Sequence, residues 1–282
     1  MRELLTMWRS TRMIVLTALV AAVYAAMLIP FKAIPLVPGL TEIRVAQVIP
    51  PVASLLFGPA AAWGSAFGNL IGDFFGTLSI VSPFGFIGNF LLGAIPYVLW
   101  GRLTTKEEPA MRNGRQVVGF VVVTVVAGLA CAAIIAWGTE VLRLLPFAAL
   151  GTIIAINNCL FPVVVGPVFL RLLYPRVRHM GLLWTDMMPT EDIGTGNAGL
   201  GTTLMVIGAI AGWLVGMLVS VGLDFSLGIP GMAQADESGQ VSVIWSVAPF
   251  MLALLAAMFT CRARPQLYAP GGITTADQSL KA

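Results

Sequence analysis

Apolar residues run in long unbroken blocks along this chain, and charge is confined to the gaps between them. Six blocks have the length of membrane spans: 13–31, 81–100, 117–138, 148–170, 201–223 and 242–261. A crossing helix needs about 20 predominantly apolar residues, with a range of about 17–25. The block 43–79 is too long for one helix and is broken at Phe57-Gly58-Pro59, a turn signal. Composition agrees with this pattern: 58% of residues are hydrophobic, only 10% are charged, and mean hydropathy is +0.90. Soluble domains carry about 25% charged residues. The expected fold class is therefore an all-α polytopic membrane protein.

Charge sets the topology. Arg2, Arg9 and Arg12 precede the first span; Arg102, Lys106, Arg112 and Arg115 follow the 81–100 span; Arg171, Arg176 and Arg178 follow the 148–170 span; Arg262, Arg264 and Lys281 follow the last. These loops hold 13 of the 16 basic residues and are expected to be cytoplasmic. Lys32, Arg44 and Arg143 fall on the other side, and the loop 224–241, with Asp224, Asp236 and Glu237 and no Lys or Arg, suits the exterior. The segment 43–79 must then cross twice, giving eight helices with both termini inside. The resulting division is a six-helix core over 1–174, a cytoplasmic linker over 175–200, a further transmembrane hairpin over 201–262, and a cytoplasmic tail over 263–282. Within the linker, Met180 to Met188 suits either a short amphipathic turn at the membrane surface or a plain loop. The basic N-terminus has a signal-peptide look, but the apolar run Met13 to Phe31 exceeds the usual ~7–15-residue signal core and is read as a retained span. The basic residues are dispersed, so the pI near 9.0 does not point to nucleic acid.

Chemistry is sparse. Cys131, Cys159 and Cys261 lack metal or redox spacing and read as packed thiols. His179 is the only histidine, so no histidine-rich metal site exists. No P-loop, His-Glu-x-x-His or Gly-x-Ser-x-Gly motif is present, so enzyme signatures and cofactor motifs are missing. The informative stretch runs from Gly64 to Gly76. Asn69 and Asp73 are four apart and share one helix face, while Gly64, Gly68, Gly72 and Gly76 form a ladder beside them. A glycine ladder lets another helix approach to backbone contact. A carboxylate at membrane depth costs about 2.5–3.5 kcal/mol on insertion scales, which marks Asp73 as a site candidate, with a helix-end cap as the plainer reading. Helix seven repeats the device with Gly208, Gly212, Gly216 and Ser220, read as a packing face.

Other polar residues gather toward the same expected outer half: Glu42, Arg44, Gln47, Asn89, Glu140, Arg143, Asn157 and Asn158. Polar groups in hydrocarbon need partners, which a shared cavity or separate interhelical pairs would each supply. Asn157 and Asn158 diverge by about 100° on a helix, so one of the two is expected to be structural. Ala18, Ala22 and Ala26 form a small-residue stripe on helix one, suited either to internal packing or to close contact with another helix.

These features resemble the substrate-binding S component of an energy-coupling factor (ECF) vitamin transporter. The likeness rests on six short helices with both ends inside, the Ala18-x-x-x-Ala22-x-x-x-Ala26 stripe, and the segment Ile43-Arg44-Val45-Ala46-Gln47-Val48-Ile49-Pro50. It also rests on Leu56-Phe-Gly-Pro-Ala60 and Gly68-Asn69-Leu-Ile-Gly72-Asp73-Phe-Phe-Gly76. It covers residues 10–174, and the Arg44 segment is similar to the queuosine-precursor-type branch. The resemblance implies a prokaryotic cell-membrane importer that binds a vitamin-like heterocycle from outside. Its helix-one alanine face would dock on a membrane coupling (T) subunit powered by two cytoplasmic ATPases, before the binder topples and releases cargo inward. The substrate-binding set expected on this basis is Glu42, Arg44, Gln47, Asn69, Asp73, Asn89, Glu140 and Asn157, with Ala18, Ala22 and Ala26 for docking. Two departures stand out. The last two helices are extra, and pocket aromatics are not evident, although Trp63, Phe74, Phe75, Phe84, Phe86 and Trp137 are available. The competing readings are a stand-alone secondary carrier or channel, and a membrane-embedded enzyme acting on lipid or isoprenoid substrates.

Overall fold

The computed structural model describes residues 2–33, 35–37, 41–42, 44–104, 107–189, 192, 198–222, 240–261 and 263. The loop acids Asp224, Asp236 and Glu237, the basic Lys106, Arg262, Arg264 and Lys281, and the 264–282 tail lie outside the described residues, as does the side chain of Lys32. The regular structure of these residues is helical, apart from a short antiparallel ribbon that pairs Pro35–Val37 with Thr41–Glu42. The principal helices are α1 (Thr11–Leu28), α2 (Ile49–Phe57), α3 (Pro59–Asp73), α4 (Ser82–Leu99), α5 (Gly114–Val141), α6 (Phe147–His179), α7 (Ala198–Ser220) and α8 (Gln240–Thr260). Six of them, α1 and α4 to α8, are long and apolar enough to cross a membrane. The two helices that fill the ambiguous block are shorter, with nine residues in α2 and 15 in α3.

The break between α2 and α3 falls at Gly58, where the turn signal placed it. Gly58 has φ +50°, and a Cβ there would lie 2.7 Å from Cγ of Trp184. Glycine is needed on both counts. Trp184 belongs to a single helical turn, Trp184–Met187, which follows α6 and packs its indole edge-on against Tyr97. The segment Met180–Met188 is therefore anchored into the core through this indole and is not a free loop. Helix α6 also runs past the expected end at Tyr174 to His179, through Pro162, Pro167 and Pro175. In α4, Pro96 interrupts the helix interior, and the N–H of Tyr97 donates to Ser54 Oγ of α2 at 3.1 Å.

The glycine ladder of α3 packs on the inner face of α1. A Cβ at Gly64 would meet Val20 and the Thr17 carbonyl; at Gly68, the Ala21 carbonyl and Tyr24; at Gly72, Leu28. Gly76 lies beyond the end of α3 and does not extend the ladder. On α1 the buried positions are Met13, Leu16, Thr17, Val20, Ala21, Tyr24, Ala25 and Leu28. Ala18, Ala22 and Ala26 are exposed on the opposite face, beside Ile14, Val15, Leu19 and Val23. Helices α3, α4, α5 and α6 continue in neighbour contact, and α2 is buried against α1, α3, α4 and α6. The α7–α8 hairpin packs on α5 and α6. Gly208 and Gly212 face Phe250 and Leu254 of α8, whereas Gly216 receives the ring of Phe147. Polar links fix the hairpin further: Trp137 Nε1 donates to the Ile244 carbonyl at 3.0 Å, Trp213 Nε1 to the Gly151 carbonyl at 3.2 Å, and the Ala148 N–H to Ser220 Oγ at 3.1 Å.

Candidate ligand-binding site

Chain alternation brings one set of helix ends together. The turn Val45–Val48, which precedes α2, packs on α6 and delivers Arg44 and Gln47. The C-terminal turn of α3 supplies Asn69 and Asp73, the start of α4 supplies Ser82 and Gly85, and α5 and α6 supply Ile135, Ile154, Asn157 and Asn158. Together with Thr77, Ser79 and Val81 these residues line one cavity. About 30 Å³ of it is open to the centre of a water molecule. One water needs at least ~10–15 Å³ by that measure, so the space matches two or three waters.

A charged relay forms the floor. Arg44 Nη1 donates to Asn69 Oδ1 at 2.9 Å, and Asn69 Nδ2 donates to Asp73 Oδ2 at 3.2 Å. Thr77 Oγ1 donates to Asp73 Oδ1 at 2.9 Å. Asn69 thus turns its acceptor to the cation and its donor to the anion, an orientation that the charges enforce. Asn69 and Asp73 are buried, and Arg44 is half-buried. A buried carboxylate survives at this depth because it gathers such partners. Asn158 is fully buried on the cavity wall, and its Oδ1 has no hydrogen-bond partner among the described residues. Among the described residues, the site therefore holds one cation, one anion and amide groups with unused hydrogen-bonding capacity. That is the equipment for holding a polar, planar molecule among apolar walls.

Of the residues expected from sequence, Arg44, Gln47, Asn69, Asp73 and Asn157 line the cavity. Asn89 reaches it indirectly: its Oδ1 lies 2.7 Å from Tyr24 Oη, which also lies 2.6 Å from Gln47 Oε1. Glu140 stands at the α5–α6 corner, where its carboxylate accepts the N–H of Phe147 at the start of α6; it does not line the cavity. The side chain of Glu42 lies outside the described residues. Of the Asn157–Asn158 pair, both reach the wall, because the cavity spans a wide arc of α6. Asn157 Oδ1 accepts the Arg44 N–H at 3.4 Å, and Asn158 Nδ2 donates to the Gly128 carbonyl at 3.4 Å.

Sequence reasoning missed Tyr24, Thr77, Ser79 and Ser82. Thr77 is four residues beyond Asp73, the same spacing that singled out Asn69, so its signal was present. Tyr24 carried none, since a tyrosine among alanines and leucines reads as packing. None of the candidate aromatics lines the cavity. Phe74 and Phe75 are exposed, Trp63 stacks on Phe67 and meets Trp8 and Phe90 edge-on, and Phe84 pairs edge-on with Trp137. Among the described residues no group of three or more His, Cys, Asp or Glu side chains is arranged to hold a metal ion.

Residues 14–175 match the family model described as QueT transporter. The match spans more than half of the chain and takes in α1 to the last turns of α6; the α7–α8 hairpin lies outside it. The chain belongs to the QueT transporter family, an ECF S-component family for queuosine-precursor uptake. No curated protein and no solved structure matches it.

Proposed function

We propose that this QueT-family chain is the cargo-binding membrane subunit of an ATP-driven importer, and that the cavity around Asp73 holds a queuosine precursor or a similar vitamin-like heterocycle. The observation that carries the reading is the convergence of Arg44, Gln47, Asn69, Asp73 and Asn157 on one cavity. The cavity end of the bundle is opposite the Arg-rich loops that follow α4 and α6. On the positive-inside rule the cavity then opens outward, to cargo arriving from outside a prokaryotic cell. In the same topology α2 and α3 complete eight crossings and both termini are cytoplasmic. Neither short helix has to span unaided, because α2 is enclosed by its neighbours.

The division of labour follows. The chain binds and positions cargo and performs no bond chemistry of its own. A T subunit and two cytoplasmic ATPases supply the energy, which fits a chain without a P-loop. The exposed stripe Ala18, Ala22 and Ala26 is the docking face: small side chains let a partner helix reach van der Waals contact with the α1 backbone. The hairpin seats on α5 and α6. Its role is to cover that side of the core, leaving the stripe for the coupling partner. A heterocycle needs more space than two or three waters, so the cavity walls must part for it to enter, and association is slower than diffusion.

Calorimetry on the detergent-purified chain tests the site. A queuosine precursor should bind, and Asp73→Ala and Asn69→Ala should each weaken it by at least tenfold; unchanged affinity in both variants would refute this assignment. For docking, Ala22→Trp should abolish co-purification with a T subunit while precursor affinity stays at the wild-type value.

A further inference from the structure

Tyr24 poses a proton-counting problem whose solution assigns it a role. Its hydroxyl oxygen stands 2.6 Å from Gln47 Oε1 and 2.7 Å from Asn89 Oδ1, and all three side chains are buried. A phenol carries one proton, so it can donate to only one of two amide oxygens. Amide orientations follow from the network, because oxygen and nitrogen are interchangeable in shape. The orientation of Asn89 is fixed independently: its Nδ2 donates to the Gly85 carbonyl at 2.8 Å. Turning Asn89 over would set two oxygens against each other at that distance. Asn89 Oδ1 therefore takes the Tyr24 proton. Gln47 must then present Nε2 to the phenol oxygen, which turns its carbonyl oxygen toward the cavity that Gln47 lines.

We propose that Tyr24 is a positioning residue of the cargo site: it locks the Gln47 amide so that Oε1 accepts an N–H from the bound base. The proposal rests on the cargo-binding reading above and deepens it by naming the polarity of this wall. Three neighbouring groups favour the same cargo. Among the described residues, Asp73 accepts only, Asn158 Oδ1 is an unused buried acceptor, and Gln47 adds a third acceptor, against Arg44 as the one cation of the lining. An acceptor-rich wall selects a base whose edge is rich in N–H donors, as the edge of a 7-deazaguanine is. A base lacking a donor there would leave Gln47 Oε1 buried and unsatisfied, and that penalty is the basis of selectivity. Tyr24 also lies on the inner face of α1, whose outer face carries Ala18, Ala22 and Ala26, so the lock is built on the helix proposed to dock.

A double-mutant cycle read by calorimetry, with a 7-deazaguanine queuosine precursor as probe, tests the assignment. Tyr24→Phe, which keeps the ring and its packing on Gly68, should weaken binding about tenfold, and Gln47→Met about fiftyfold. The double variant should be no weaker than Gln47→Met alone, because Tyr24 acts through Gln47. Gln47→Glu, which supplies acceptors only, should recover at least fivefold over Gln47→Met. A Tyr24→Phe loss that multiplies undiminished in the Gln47→Met background, or a Gln47→Glu variant no better than Gln47→Met, would overturn the proposal. A readout without cargo separates this failure from failure of the function itself. In nitrogen-15-labelled protein the Gln47 side-chain NH₂ resonance should be protected from solvent exchange and should lose that protection in Tyr24→Phe. Protection unaltered by the substitution overturns the lock, whereas protection lost in a chain that binds no precursor upholds the lock and sinks the transport reading.

Discussion

Two polar clusters at opposite ends of the bundle use similar residues and finish in different states. Around Asp73, at the cavity end, a cation, an anion and several amides are linked, yet among the described residues Asn158 Oδ1 has no partner, and Gln47 lines open space. Around Glu107 and Glu108, in the loop between α4 and α5, every group named here finds a protein partner. Glu107 accepts from Asn113 Nδ2 at 2.7 Å and from Gln116 Nε2 at 2.9 Å. Glu108 pairs with Arg112 and with Arg178 from the end of α6. Asn113 caps α5 by accepting the Gln116 N–H at 2.9 Å, and Trp100 Nε1 donates to the Glu107 carbonyl at 2.8 Å. The first cluster is buried with capacity to spare; the second is largely exposed and saturated. Spare hydrogen-bonding capacity in a dry place is costly unless something else fills it. The contrast is the one expected if the first cluster binds cargo, as proposed, and the second ties a loop down.

The largest expected effect breaks the first cluster by half. Arg44→Met removes the cation that Asn69 links to the buried Asp73 carboxylate and should destabilise the chain by about 2–3 kcal/mol, below the ~3–5 kcal/mol of breaking a fully buried pair because Arg44 is half-exposed. Removing both charges, with Arg44→Met and Asp73→Leu together, should restore most of the thermal midpoint and none of the precursor affinity. A double variant that binds would show that the charges are structural and erase the distinction between the clusters. Next in size is Gly68→Val. Its side chain would press on the Ala21 carbonyl and on Tyr24, both 2.9 Å from the first added carbon. Overpacking of this kind costs about 1–3 kcal/mol. Because Tyr24 is displaced, precursor affinity should fall about tenfold as well, which calorimetry and a melting curve on the same sample would separate.

How much of this contrast the sequence carried depends on which residues are asked. The span blocks, the break at Gly58 and the glycine ladder were legible, because hydropathy and four-residue spacing report directly on burial and on helix faces. Asn69 and Asp73 stood out because an ionised group in an apolar block is rare. Thr77 carried the same four-residue signal and was overlooked, whereas Tyr24 carried none, since its importance lies in the partner it meets across 23 residues. Glu140 stands apart from the cavity for a local reason: position put it near the outer end, and a carboxylate at a helix corner is drawn to the free N–H groups of the next helix, here that of Phe147. The α6 overrun to His179 was hidden because the linker was set to begin at Pro175, a residue that lies within the continuous helix. The anchoring of the linker through Trp184 depends on a groove at Gly58 that no local pattern reveals.

Smaller effects test the saturated cluster. Glu108→Gln weakens two ion pairs that are partly open to water, Arg112 being largely exposed and Arg178 less so. Such pairs contribute about 0–1 kcal/mol, so the melting shift should be slight and precursor affinity unchanged. A loss of binding in Glu108→Gln would mean that the two ends of the bundle are coupled, and the simple contrast would fail.

The smallest effect is a pH dependence at Glu107. Hydrogen bonds from Asn113 and then Gln116 favour its ionised form, so its pKa lies below the ordinary value of 4.5. A carboxylate whose pKa is lower in the folded chain stabilises the fold above its unfolded pKa. That contribution is lost as pH falls through the folded value. Between pH 7 and 5 the melting point of wild type and Glu107→Gln should therefore run parallel. Below about pH 4.5 the wild type should lose ground relative to the variant, because only the wild type has this carboxylate to protonate. Glu107 is fully exposed, so the divergence should be small and should shrink in salt. Curves that instead diverge between pH 7 and 5 would place a different titrating group in this loop and would show that its network is not closed in the way that sets it apart from the cavity.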